Sequence, residues 1–270
     1  MTDHHGDLVR LSAQIARRLE TSEPRGRVHS VFARAINVQW SDGSLLALHG
    51  RGPLLAPFAA VVDDVTLLRA LRPGMEVTVE PPGLRAPGLT LSWERAVRVD
   101  CSVAGARPVR ARATPAPLVA HGDHAPGLDS PVGVGARAAL AAGIGGRDAT
   151  RLIAGACALL GLGEGLTPAG DDCLVGALAV LHAAGAGALT GEPGAAAAIA
   201  AAAAARTTPI GREFVLHALA GRFSEPVLAV LRARPSGSAG WARRRGRTRS
   251  PACAWPGTRW PPEPWPRPPF

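Results

Sequence analysis

Leu159-Leu160-Gly161-Leu162-Gly163-Glu164-Gly165-Leu166-Thr167-Pro168-Ala169-Gly170-Asp171-Asp172-Cys173 limits what fold the rest of the chain can have. Its spacing rules out two phosphate loops that would signal a doubly wound α/β protein. No strand-like run precedes it and no acid ends a second strand about twenty residues on, so it is not a dinucleotide fingerprint. The Lys-[Ser/Thr] pair of a Walker loop is missing as well. The flanks, 148–160 and 170–184, read as helices. Glycines at 161, 163, 165 and 170 permit positive φ and close approach of a ligand. Thr167, Asp171 and Asp172 stand at the entry to the second helix, whose N–H groups and partial positive charge suit a phosphate or carboxylate. The aspartates fit there as caps, or as holders of a hard cation such as magnesium. The plainer alternative is a helix–helix turn with an Asp cap, but such a turn needs one or two glycines and this segment uses four.

Outward from the loop the chain divides into two textures. Toward the C-terminus, 134–142, 148–160, 170–184, 194–206, 211–220 and 225–231 are successive helix candidates. Toward the N-terminus, 104–131 is rich in Pro, Ala, Arg and Gly and reads as a linker. Before it, short strand-like runs occupy 28–32, 36–40, 45–49, 76–80, 89–93 and 96–101. Ser41-Asp42-Gly43-Ser44, Arg72-Pro73-Gly74 and Pro81-Pro82-Gly83 carry hairpin chemistry between them, and 61–71 reads as a helix. Leu8, Leu11, Ile15 and Leu19 recur at helical spacing, which places an N-terminal helix in 1–24. The expectation is an α+β protein: a β-rich part over 25–103 (a small antiparallel sheet or barrel), then a mainly helical part over 132–231 carrying the Gly-rich loop.

Charge narrows the choice of partner. From Arg232 onward nine arginines face a single acid, Glu263, so +8 of the net +9 belongs to the last 39 residues and the body is left at +1. A nucleic-acid reading therefore rests on the tail alone. That tail also holds four of the six tryptophans and nine prolines, and the chain has no lysine or tyrosine. Residues 232–270 read as the product of a frameshift in a GC-rich gene, in preference to a disordered, arginine-rich interaction tail. Resequencing through 232–238 checks this. The four cysteines form no CxxC motif or disulfide framework, and the polar N-terminus lacks a signal-peptide core; both fit a cytoplasmic protein outside the membrane. His121-Gly122-Asp123-His124 has ligand-like residues but reads as a solvated loop. Cys157 and Cys173 read as small core residues.

The segment 161–176 resembles the signature of the AllH family, whose typical form is GLGPGLTPSGDD followed by an apolar helix. Glu164 stands where proline is usual and Ala169 where serine is usual. Gly26-Arg27-Val28-His29-Ser30-Val31-Phe32-Ala33-Arg34-Ala35-Ile36-Asn37 resembles the family's N-terminal strand pair. Thr207-Thr208-Pro209-Ile210-Gly211-Arg212-Glu213-Phe214 resembles its Thr-rich helix start, with Gly211 where serine is common. The likeness spans 25–231; where the family ends in a Gly-His-[Ser/Thr]-Ser-Gly-x-Asp segment, Pro235-Ser236-Gly237-Ser238-Ala239-Gly240-Trp241 stands instead. The resemblance implies a subunit of an oxamate carbamoyltransferase from purine and allantoin catabolism. It would work with FdrA-like and AllG-like proteins to move a carbamoyl group between carbamoyl phosphate and an amide such as oxamate. Backbone anion contacts fall to Gly163, Gly165 and Gly170, a hydrogen bond to Thr167, and orientation of an amine or metal to Asp171 or Asp172. Arg27, His29 and Arg34 are further anion-binding candidates. The alternative is a non-catalytic metabolite-binding or scaffold subunit.

Overall fold

Short segments of alternating exposure build the N-terminal half, as in β2 (Arg25–Val31), where Gly26 and Val28 are buried and Arg25, Arg27 and His29 face out. The computed structural model describes residues 4–21, 25–52, 55–104, 127–185 and 194–232. The remaining strands are β1 (His4–Ser12), β3 (Ala35–Trp40), β4 (Leu45–His49), β5 (Ala59–Val62), β6 (Glu76–Glu80), β7 (Gly83–Ala86), β8 (Leu89–Ser92) and β9 (Val97–Val99). Their order is β5-β4-β3-β2-β6-β7-β8-β1-β9, and a further β5–β1 pairing closes the first eight into a barrel. Closure leaves only β9 outside the ring, which removes most of the exposed sheet edge. The pairing is mixed: β4–β5, β1–β8 and β1–β9 run parallel and the rest antiparallel.

Leucine, valine and isoleucine side chains fill the interior, joined by Trp40, Phe58 and Trp93. Helix α1 (Ala13–Thr21) adds Ile15, Ala16 and Leu19 to the same core.

Three sequence expectations give way here. Residues 8–12 are strand, with the helix beginning at Ala13. A bulge between Leu8 and Arg10 shifts the register, so Leu8 and Leu11 are both buried at a three-residue spacing that imitates a helix. Residues 61–71 are not one helix but the end of β5 followed by a 3-10 turn over Val65–Ala70, capped by Asp64. All four β5 residues are buried, Ala60 and Val62 inside the barrel and Ala59 and Val61 in an outer apolar layer with Leu55 and Cys101. A strand covered on both faces loses its alternation. Arg72-Pro73-Gly74 leads from that turn into β6 instead of making a hairpin, whereas residues 41–44 and 81–82 do join paired strands.

The second half is helical: α2 (Pro131–Gly146), α3 (Ala149–Leu159), α4 (Ala169–Ala183), α5 (Ala195–Arg206), α6 (Pro209–Leu219) and α7 (Glu225–Arg232). Helix α2 starts where the expected linker ends, capped by Ser130 with Pro131 in its first turn. Helices α2 and α3 approach closely through glycines: a side chain on Gly143 would meet Leu152 N at 2.4 Å, and one on Gly155 would meet Leu140 N at 2.4 Å. Most of 104–131, with His121 to His124, lies outside the described residues, as does the tail from 233.

Backbone bonds tie the two halves together. Phe223 N–H donates to Cys101 O at 2.8 Å and Val103 N–H to Gly221 O at 2.9 Å. Glu225 accepts from Leu55 N–H at 3.2 Å and pairs with Arg10 at 2.5 Å. Ile210 and Phe214 of α6 pack against the barrel core, Phe214 edge-on to Phe58 at 4.9 Å.

Candidate functional site

The Gly-rich loop leaves α3 at Leu159 and enters α4 at Ala169, and three of its glycines need left-handed backbone: Gly161 at φ 73°, Gly163 at 113° and Gly165 at 97°. Two other helices begin against it. A side chain on Gly127, just before α2, would come within 3.0 Å of Gly163 N. Thr208, the cap of α6, donates to Leu166 O at 2.5 Å and accepts from Gly211 N–H at 2.9 Å. The N-termini of α2, α4 and α6, of 16, 15 and 11 residues, thus share one loop. Each carries partial positive charge.

Asp171 ties the loop to α6. It is 1% exposed, its Oδ1 accepts from Gly161 N–H at 2.8 Å, and its Oδ2 accepts from the Thr207 hydroxyl. Burial pushes its carboxyl above the usual range, while the bonds from Thr207 and Gly161 hold it down. A side chain on Gly211 would sit 2.2 Å from Asp171 Oδ2, so α6 comes this close only because Gly211 has none. Gly170 is equally confined: its N–H donates to Leu162 O at 2.8 Å, and a side chain there would lie 2.0 Å from Leu159 O. Asp171 and Gly170 therefore spend their polar groups inside the protein.

The outer face of the loop differs. Among the described residues, the N–H groups of Gly163, Gly165 and Thr167 and the Thr167 hydroxyl make no hydrogen bond, and nothing lies within 4 Å of where a Gly165 side chain would be. Helix α4 has Pro168 at its cap and no side-chain cap bond. Asp172, next along, opens to solvent. Protein packed behind its carboxyl, and then the negative charge of Asp171, push it up to about 6. Water at its exposed face screens part of both effects.

Arg27 and His29 lie on the outward face of β2, and Arg34 in the turn that follows. Arg27 donates to Gly74 O at 3.0 Å and Arg34 to Arg51 O at 3.3 Å. No hydrogen bond or ion pair among the described residues joins these three to the loop. Nor does any group of three or more His, Cys, Asp or Glu among those residues form a metal cage. Burial pushes the Cys157 and Cys173 thiols above their ordinary value; both are partly buried, Cys173 against the helical core.

Two family models match this chain: the AllH family N-terminal domain over residues 7–103, and oxamate carbamoyltransferase subunit AllH over residues 159–245. The chain belongs to the AllH family. The first match coincides with the barrel, and the second covers the Gly-rich loop and helices α4 to α7 and runs past Leu231. Searches of curated proteins and of solved structures gave no match. No helix among the described residues is long and apolar enough to cross a membrane.

A group that the sequence reading left aside lies on α6: Glu213, 3% exposed, and His217, with Arg222 just beyond. Glu and His four apart on a mostly apolar helix was the available signal.

Proposed function

We propose that this AllH-family chain binds a small anionic substrate of carbamoyl transfer, carbamoyl phosphate or oxamate, on the outer face of the 161–169 loop. The observation that carries the reading is the meeting of three helix N-termini at a loop in which the N–H groups of Gly163, Gly165 and Thr167 have no partner among the described residues. Such a site stabilises negative charge without a cationic side chain. Gly163 and Gly165 supply N–H donors and Thr167 a hydroxyl. Gly170 shapes the loop, and Asp171 is a positioning residue.

Carbamoyl transfer needs the amide nitrogen of the acceptor to attack the carbamoyl carbon, phosphate to leave, and the nitrogen to lose a proton. Donors fixed before the reaction stabilise the negative charge that develops on the carbamoyl and phosphate oxygens. Asp172, whose carboxyl is pushed up to about 6 beside the open loop, is suited to orient the amine and take that proton. The remaining machinery comes from FdrA-like and AllG-like partner subunits, consistent with the family's description as a subunit.

Reconstitution with those partners tests the proposal. Thr167→Val and Asp172→Asn should each lower oxamate carbamoylation while leaving assembly intact. Full activity in both variants would favour a scaffold role instead.

A further inference from the structure

Glu213 and His217 lie one turn apart on α6, where that helix meets the barrel. Glu213 Oε1 is buried without a hydrogen-bond partner. The Arg212 guanidinium is 4.0 Å from Oε1, and His217 Nε2 is 3.9 Å from Oε2, both beyond hydrogen-bond length. On the other side of the imidazole, Arg222 Nε donates to His217 Nδ1 at 3.1 Å, and Phe58 stacks on the ring at 5.7 Å. A guanidinium can only donate, so Nδ1 accepts and carries no proton; His217 is the neutral Nε2–H tautomer. A buried carboxylate with an unmet oxygen is costly and a neutral carboxyl much less so, which leaves a proton on Glu213.

The groups around Glu213 pull in both directions: Arg212 on α6, the Leu45 backbone N–H and Arg18 on α1 favour its carboxylate, and Asp42 in the β3–β4 turn opposes it, while Arg222 disfavours a charge on His217 and Arg17 acts on Arg222. Burial comes first for both groups, pushing Glu213 up to about 7 and, with Arg222, His217 down to about 4.

We propose that Glu213 and His217 hold one proton between them and relocate it as α6 seats on the barrel, from His217 in the open junction to Glu213 in the closed one. With the junction open, both groups meet water and take their ordinary values, 4.5 and 6.5. Between those values Glu213 is then an anion and His217 a cation. On closing, His217 loses the Nδ1 proton as that nitrogen turns acceptor for Arg222, and the Glu213 carboxylate gains one. The pair is neutral overall in both states and exchanges no net proton with solvent. Closure is therefore insensitive to pH across this interval, although each group alone would make it strongly sensitive. Thr207 and Thr208, which lead into α6, donate to Asp171 and Leu166 O, and Gly211 in its first turn packs against Asp171, so the pair keeps that grip on the Gly-rich loop constant. This bearing on function rests on the loop being the ligand site; the test needs no ligand and can fail separately.

Amide exchange of residues 214–219, corrected for intrinsic rates and followed between pH 4.5 and 6.5, provides the readout in the full chain, Glu213→Gln and His217→Gln. Wild-type protection should stay nearly level. Glu213→Gln leaves His217 alone and should lose protection about tenfold per pH unit as pH falls. His217→Gln leaves Glu213 alone and should lose about tenfold per unit as pH rises. Variant profiles running parallel to the wild type would overturn the proposal. Ring nitrogen shifts of His217 decide the case even if neither variant folds: a neutral ring at about pH 5.5 is expected, and an imidazolium in the folded chain would refute it.

Discussion

Gly165, Gly170 and Gly211 stand close to one another in the site, and the same added methyl group would do different things at each. At Gly170 it would strike the Leu159 carbonyl, and at Gly211 the Asp171 carboxylate, which two hydrogen bonds hold in place. Gly170→Ala and Gly211→Ala should each lower unfolding free energy by about 1–3 kcal/mol despite the gain in helix propensity. Gly165→Ala meets nothing and should cost only the left-handed backbone, about 1–2 kcal/mol. Chemical denaturation of the three variants checks the order. Asp172 gives a prediction of a different kind. Its carboxyl is pushed up to about 6, and the charge it gains as pH rises opposes an anion on the loop. Affinity for sulfate, whose charge is constant over this range, should fall as pH rises through about 6 and become level in Asp172→Asn. Equal slopes in calorimetric titrations of both proteins would remove Asp172 from the site. In the sequence the two aspartates, adjacent in the chain, invite one description. Only packing separates Asp171, bonded inward to Gly161 and Thr207, from Asp172, which faces water.

Among the elements, legibility followed how many faces each one buries. Strand β6 and the six later helices lie close to where periodicity and caps place them, since one side of each meets water or a cap residue marks its end. Strand β5 was absorbed into a helix because both of its faces are covered, and the bulge in β1 gave it a false helical spacing. Strand β7 escaped because Gly83-Leu84-Arg85-Ala86 is too short to show a pattern. The role of α6 as the link between barrel and loop was not readable either, because it depends on Phe58, Phe214 and His217 meeting across more than 150 positions of chain. Phe58→Ala removes the ring on which both α6 side chains rest and should cost about 3–5 kcal/mol in urea unfolding. A loss below about 1 kcal/mol would mean that α6 is held mainly elsewhere.

At the scale of the whole molecule, the barrel and the helical part are joined by backbone bonds from Cys101 and Val103 and by Glu225. Positive charge, by contrast, is concentrated after Arg232. The full chain should be retained on heparin in a salt-dependent manner, and a chain ending at Arg232 should elute without retention. Retention of the shortened chain would reveal a basic surface that the near balance of the body does not suggest. The loop itself is best tested by amide shift mapping of the full chain titrated with phosphate and with oxamate. Saturable shifts confined to Gly163, Gly165, Thr167 and their neighbours through Ala169 are expected for both anions. Saturable shifts elsewhere, with the loop amides unmoved, would contradict an anion site at the Gly-rich loop.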